Sequence, residues 1–254
     1  MHLWELKATL DEWLAPHLFR DYCPNGLQVE GRCEVRRIMT AVTANRTTIE
    51  AAVAAEVDLL LVHHGLFWKG DDPCVVGLKR RRLRPLLTAE ISLVAYHLPL
   101  DAHPEVGNNA VWAQAMGWVT LERFGDQSLG CLGEWGNETD RDCPPTVAVL
   151  ANRLQATLGH TPLVVGDPDR PVRRLAWCSG AAQSFFLDAV AKGVEAVVTG
   201  EISEPYVHLA RESGVAFLAA GHHATERFGV QALGARLAQR YGITVTFFDD
   251  PSPV

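Results

Sequence analysis

Apolar residues along this chain come in short continuous runs, with helix-period stretches between them. The first runs cover residues 38–42, 57–62 and 91–96, and residues 46–55 carry apolar positions at helical spacing. The same order then returns. An apolar run at 175–177 is followed by a helical stretch at 183–192 and by runs at 194–199 and 215–219. Continuous apolar strands separated by helices predict strand–helix–strand units in a mostly parallel sheet. Further helices are expected over 109–116 and 230–240.

The recurrence is an internal duplication. A shift of 137 positions lays Val35-Arg36-Arg37-Ile38 over Val172-Arg173-Arg174-Leu175 and Asp58 over Glu195. Eight of the 32 positions over 35–66 are identical, enough to read two copies of one unit rather than chance. The expected architecture is an α/β fold of two similar halves, residues 1–124 and 125–254. A connector rich in glycine and charge, around 120–145, ends in Pro144-Pro145 and marks the expected boundary.

Composition narrows the class. The 254 residues are 48% hydrophobic and 21% charged, so the chain can bury a core without disulfides or a structural metal. A net charge of -7 argues against general affinity for nucleic acid or an anionic membrane. The basic stretch Lys79-Arg80-Arg81-Arg82, with Arg84, reads first as a solvated helix face and second as a phosphate or interface contact. Six scattered cysteines without a C-x-x-C pair fit reduced thiols in a cytoplasmic protein. Neither a signal-peptide pattern nor a membrane span is expected.

Six of the ten histidines lie in three segments: His63 and His64, His97 and His103, His222 and His223. Each segment closes a predicted strand, the edge of an α/β sheet where ligand sites form. One histidine there is usually structural; the coincidence of three segments favours a metal. His97-x-x-x-Asp101 and His222-x-x-x-Glu226 add carboxylates. Imidazole with carboxylate suits Zn, Fe, Mn or Ni, while Mg favours oxygen. Adjacent strand residues point to opposite faces, so His63 and His64 reach one ion only if the chain bends, as Gly65 would permit. Two neighbouring ions are the easier geometry, with Asp101 and Glu226 as candidate bridges. His97, placed opposite His222 in the repeat, is a candidate ligand, supporting residue or proton carrier. His103, His223 and Glu201, the last the repeat counterpart of His64, are candidate partners of the ligands or contacts to substrate. The turn from Ser179 to Gln183 could offer N–H groups to an anion. No H-E-x-x-H or cysteine knuckle appears.

Longer segments carry a resemblance. Val62-His-His-Gly-Leu-Phe-Trp-Lys-Gly70, Tyr96-His-Leu-Pro-Leu-Asp-Ala-His-Pro-Glu-Val-Gly-Asn-Asn109 and Gly221-His-His-Ala-Thr-Glu-Arg227 resemble the Nif-three-like proteins. Asp21-Tyr-Cys-Pro-Asn-Gly-Leu-Gln-Val-Glu-Gly31 and Thr199-Gly-Glu-Ile-Ser-Glu204 match as well. These proteins are also known as GTP cyclohydrolase I type 2 homologues, or dinuclear-metal hexameric proteins. The resemblance implies a duplicated fold with a metal pair between the halves, and a ring-shaped homohexamer. It implies ligands at His63, His64, Asp101, His222 and Glu226, with Glu226 touching both ions. The expected function is a metal-dependent hydrolase of a small phosphorylated or nucleotide-like substrate, with two divalent ions (Zn, Fe, Mn, Ni or Mg) and His97 as proton carrier. The alternative is a non-enzymatic ring that carries metal or holds a partner. Nothing in the residues selects GTP, and single-stranded nucleic acid fits only a ring with a basic lumen.

Overall fold

The computed structural model describes residues 1–254. Its elements, numbered along the chain, are α1 (Leu3–Leu14), β1 (Gly26–Val29), β2 (Arg37–Thr43), α2 (Arg46–Ala54), β3 (Leu59–His64), α3 (Gly77–Thr88), β4 (Ser92–Ala95) and α4 (Leu98–Ala102). Then come α5 (Asn108–Met116), β5 (Trp118–Phe124), β6 (Gly130–Trp135), α6 (Glu138–Asp142), α7 (Val147–Leu158), β7 (Leu163–Val165), β8 (Arg174–Cys178), α8 (Phe186–Ala191), β9 (Ala196–Thr199), α9 (Glu204–Ser213) and β10 (Ala216–Ala219). The last two are α10 (His222–Tyr241) and β11 (Thr244–Phe247). No helix is long and apolar enough to cross a membrane.

The chain forms two compact units, Met1–Gly107 with Gly229–Asp250, and Asn108–Phe228 with Pro251–Val254. The sequence suggests one boundary between residues 124 and 125; the chain instead returns to its first unit within α10. That return is driven by burial. Val230, Leu233 and Leu237 of α10 join Leu3, Leu6 and Leu10 of α1 in one core cluster.

The first unit holds a five-stranded sheet in the order β1-β4-β3-β2-β11. The strands β11, β2, β3 and β4 run parallel, and β1 closes the edge antiparallel. One face packs on α1 and α10, and the other on α2 and α3. On α3 only Leu83 and Leu86 are buried, which leaves its basic stretch to solvent. The second unit holds six strands in the order β5-β6-β8-β9-β10-β7. Its β8, β9 and β10 are parallel, and the other three strands are antiparallel to their neighbours. The face carrying α5 and α7 buries Trp112, Trp135 and Trp177, and the opposite face carries α8 and α9.

Strand register shows the duplication directly. Leu59 sits between Ile38 and Ser92, as Ala196 sits between Leu175 and Ala216. The edge strands match too: Gly26 pairs with Ala95, and Leu163 with Ala219. The copies reach back to their first residues. Val35 N–H donates to Met1 O and Val172 N–H to Pro145 O, beside bridges His2 to Glu34 and Thr146 to Pro171. His2 and Thr146 each cap the helix that follows.

Three expectations change. The connector at 120–145 is largely a hairpin, β5–β6, in the second sheet, with Trp118 opposite Trp135. Its strand β5 is exposed along its middle, so it lacks a continuous apolar run. The helix expected over 183–192 opens as a 3₁₀ turn, Gln183–Phe185, and is α-helical only from Phe186. The last helix begins at His222 rather than near 230, which puts Glu226 one turn after His222.

Candidate metal centre

In the first unit His63 and His64 end β3, and His97 follows β4 as the residue preceding α4. These rings do not diverge as adjacent strand residues would. At the strand end the centroids of His63 and His64 are 4.6 Å apart, with His97 at 5.0 Å from His63 and 5.6 Å from His64. One nitrogen of each lies within 4.8 Å of the others.

Each ring is fixed through Nδ1. The fully buried His63 donates from Nδ1 to the carbonyl of Tyr96 at 2.9 Å. A carbonyl only accepts, so the neutral ring presents its Nε2 lone pair. That Nε2 lies 3.6 Å from Asp101 Oδ1 on α4. His64 Nδ1 is 3.1 Å from Thr43 Oγ1, across the β2–β3 pairing. His97 donates from Nδ1 to Asp21 Oδ1 at 2.7 Å.

Asp21 is itself held in place. It accepts from Leu98 N–H at 3.0 Å and Asn25 Nδ2 at 2.9 Å, while Asn25 Oδ1 accepts from His97 N–H at 2.7 Å. Burial alone would push the Asp21 carboxyl up. The hydrogen bond and charge of His97, helped by Asn25 and Leu98, override it and hold the group at about 2. Nearby Cys23 goes the other way: burial first, and then Asp21, push its thiol up to about 12. Asp21, Cys23 and His97 nonetheless form a further group whose ligand atoms lie within 4.8 Å of one another.

Gly65 does not act through an unusual backbone angle. A Cβ there would overlap the amide of Gln28. Gln28 Oε1 accepts from Leu66 N–H and its Nε2 donates to Pro24 O, both at 2.9 Å, which ties the segment after His64 to the segment before β1.

In the second unit His222 and Glu226 lie one turn apart on α10, with Nε2 and Oε2 separated by 3.1 Å. Glu201 Oε1 accepts from His222 Nδ1 at 2.6 Å. Burial alone would pull His222 down, but Glu226 and Glu201 override it and raise the imidazole to about 9. Two carboxylates around one imidazole favour a cation there, either a proton or a metal. Gly180 leaves room: with φ +65°, it holds a position where a Cβ would overlap Glu226 Oε1 and lie 3.2 Å from His222 Nε2.

Three amides of the turn from Ser179 to Gln183 are taken up inside the unit. Ser179, Gly180 and Ala182 N–H donate to Asn109 Oδ1, Thr225 Oγ1 and Thr199 Oγ1. His103 Nδ1 accepts from Glu105 and Val106 N–H, both at 3.1 Å, and so closes its own turn outside the histidine cluster. Burial, reinforced by Arg236, lowers its pKa and keeps it an acceptor. His223 belongs to neither cluster; its N–H donates to Val254 O. Nor is His97 the register counterpart of His222. Ala95 matches Ala219, so His97 falls opposite Gly221. Sequence reading missed Asp21, Thr43 and the Tyr96 carbonyl as anchors. Asp21 and Tyr96 each left a trace, as the first residue of a segment that carries the resemblance; Thr43 left none.

The donor sets fit a divalent ion. Two ligand atoms of one tetrahedral ion at about 2.0–2.1 Å lie about 3.4 Å apart. His63 with Asp101, at 3.6 Å, and His222 with Glu226, at 3.1 Å, bracket that spacing. Fold and residues thus define a duplicated α/β protein with histidine–carboxylate clusters at its strand ends.

The chain belongs to the Duf34/NIF3 (NGG1p interacting factor 3) family, whose model matches residues 1–253. It is 52% identical to the GTP cyclohydrolase 1 type 2 homolog of Pseudomonas aeruginosa, covering 98% of this chain and 97% of that one. The protein of the same name from Neisseria meningitidis serogroup B is 49% identical, covering 96% and 95%. Among solved structures, protein ybgI, of unknown function, superposes with a TM-score of 0.94 at 44% identity over 100% of both chains. TTHA1606 from Thermus thermophilus gives 0.88 at 37% identity, again over 100% of both.

Proposed function

We propose that the chain is a metal-dependent hydrolase that loads two divalent ions on His63, His64, Asp101, His222 and Glu226. The observation that carries this reading is the treatment of the imidazoles. Each candidate histidine has Nδ1 against a protein oxygen, and His63 and His222 have Nε2 near a carboxylate. Metal-ligating histidines are oriented in this way, because the bond at one nitrogen fixes the tautomer and aims the other. Zn, Fe, Mn and Ni suit the mixed nitrogen and oxygen donors, and Mg suits them less.

A pair of divalent ions would supply Lewis acidity, activating a water and clamping substrate oxygens. The residues of the chain supply the rest. The Tyr96 carbonyl and Thr43 hold His63 and His64, Glu201 holds His222, and the glycine at 180 keeps space open beside Glu226. The substrate class we favour is a small phosphorylated or nucleotide-like molecule, in line with the relatives called GTP cyclohydrolase 1 type 2 homolog. The same reading has the protein acting in the cytoplasm as a homohexamer, which light scattering of the purified chain would test.

The deciding experiment pairs metal analysis with turnover. The chain, loaded with Mn, Zn, Fe or Ni, is offered a panel of nucleotides and other phosphorylated compounds. We expect two ions per chain and turnover that disappears in His64→Ala. Turnover unchanged in that variant would remove the catalytic role, and metal binding without any turnover would favour a carrier or scaffold.

A further inference from the structure

We infer that Tyr22 and Trp68 form a stacking subsite beside the candidate centre, and that it takes the planar heteroaromatic ring of a nucleotide-like substrate. The inference rests on the hydrolase reading for the substrate it serves. It adds the residues that choose a ring over a bare sugar phosphate.

The first argument is exposure. Of the Phe, Trp and Tyr side chains only Trp4 and Tyr22 are exposed; the others are buried or part-buried. Tyr22, at 60%, is the more open of the two. It stands at the histidine cluster, its ring centroid 6.2 Å from that of His97. The part-buried Trp68 lies 5.2 Å from His97 and 5.8 Å from His64. Its contact with His97 is edge-to-face, at 84°. Whichever ring supplies the edge, at least one face of the indole stays uncovered by His97. A ligand ring that covers such faces gains both apolar burial and stacking.

The second argument is preorganisation. A single exposed aromatic needs no explanation. What distinguishes Tyr22 is that its backbone is fixed on both sides. Its N–H donates to Asp21 Oδ1 at 2.6 Å, and its carbonyl accepts from Lys69 N–H at 2.6 Å. The second bond ties the segment of Tyr22 to that of Trp68. Asp21 is held in turn by His97, Asn25 and Leu98. A surface ordered before binding loses less entropy when a ligand arrives. Tyrosine and tryptophan, with two side-chain torsions each, add little to that loss.

The third argument is charge. Aromatic faces also attract organic cations. A divalent ion at the neighbouring imidazoles would repel one, and the residue after Trp68 is the exposed Lys69. A neutral ring that carries a phosphate suits that field. Tyr22, His64, Trp68 and His97 all lie in Met1–Gly107, so the subsite belongs to the first unit alone.

The test is calorimetric titration of the full chain, loaded with Zn²⁺, with guanosine 5′-monophosphate and with ribose 5-phosphate. The nucleotide should bind about 5–150-fold tighter than the sugar phosphate, the range that stacking of a base on an aromatic side chain supplies. Tyr22→Ala should remove most of that difference while ribose 5-phosphate affinity and Zn²⁺ content stay unchanged; Tyr22→Phe should keep it. In NMR, saturation transfer to the base protons should fall relative to the ribose protons in Tyr22→Ala. Trp68→Ala should behave alike, and where that part-buried substitution fails to fold the exposed Tyr22 decides. Absence of nucleotide binding, equal affinity for the two ligands, or nucleotide affinity unaffected by Tyr22→Ala would each overturn the inference. So would choline bound as tightly as the nucleotide. Turnover undiminished by Tyr22→Ala leaves the hydrolase reading standing without the subsite. Conversely, nucleotide binding that needs Tyr22 in a chain without turnover sustains the subsite and ends that reading.

Discussion

At Gly180 and Gly65 the absence of a side chain has different causes, and substitution should separate them. Gly180 has φ +65°, where an L residue costs about 1–2 kcal/mol, and its missing Cβ also leaves room for Glu226 Oε1. Gly180→Ala is expected to lose metal at His222 and Glu226 while the first unit keeps its own, as metal analysis per chain would show. At Gly65 the nearest obstacle is the Gln28 amide. Gly65→Ala should cost about 1–3 kcal/mol through the lost Leu66 hydrogen bond. In a urea series, adding Gln28→Ala should recover part of that loss; no recovery would mean the clash lies elsewhere. The metal-capable residues were legible in sequence because imidazole and carboxylate carry their chemistry in the residue type. Of their anchors only Glu201, which holds His222, was. A backbone carbonyl such as that of Tyr96 has no signature, and Asp21 lies 76 residues from His97.

Among elements, the two copies share a device that no apolar pattern reveals. Asp58, ahead of β3, accepts the N–H groups of Arg36 and Arg37 at 2.8 and 2.9 Å. Glu195, ahead of β9, accepts those of Arg173 and Arg174 at 3.2 and 2.7 Å. Asp58 is buried and also meets Arg32, while the Glu195 bonds are exposed. Stranded buried donors cost more than hydrated ones, about 1–3 kcal/mol each. Asp58→Ala should therefore lower the urea midpoint clearly more than Glu195→Ala, with the m-value unchanged. The earlier part of each copy escaped sequence reading for a reason of length. Between α1 and β1 lie residues 15–25, but between α7 and β7 only 159–162, so no single shift aligns helix and strand. Another element contact predicts acid behaviour. Arg153 on α7 holds Asp140 on α6 through two bonds, at 2.6 and 2.9 Å. Those bonds, against the opposing effect of burial and with help from Asn137, lower the Asp140 carboxyl. A depressed folded-state carboxyl stabilises above its unfolded value, near 3.9, and that stabilisation is lost as pH falls through the folded value. Asp140→Asn should cost about 1–2 kcal/mol at neutral pH, and the deficit should vanish in acid; a deficit constant with pH would assign it to packing.

For the molecule as a whole, the discontinuous units decide how metal and stability are linked. The parallel core of each sheet was legible, because buried parallel strands read as unbroken apolar runs. The hairpin β5–β6 and the return of the chain through α10 were not. Both depend on which distant surface an ordinary amphipathic segment covers, and that choice is made by the fold. The candidate ligands His63, His64 and Asp101 all belong to Met1–Gly107. An ion held there should stabilise the first unit before anything else. A ligand that binds only the folded state adds RT ln(1 + [L]/Kd), about 2.7 kcal/mol when the free ion is at 100 times its dissociation constant. In native-state hydrogen exchange, Zn²⁺ at that excess over the His222→Ala/Glu226→Ala variant should slow the amides of β2, β3 and β4 by about a hundredfold where they exchange by unfolding of their unit. The amides of β8, β9 and β10 should change less, because the remaining ligands lie outside their unit. Adding His63→Ala should abolish the difference. Equal protection of both sheets would show that the units open together, and no protection in either would show that the first unit holds no ion by itself.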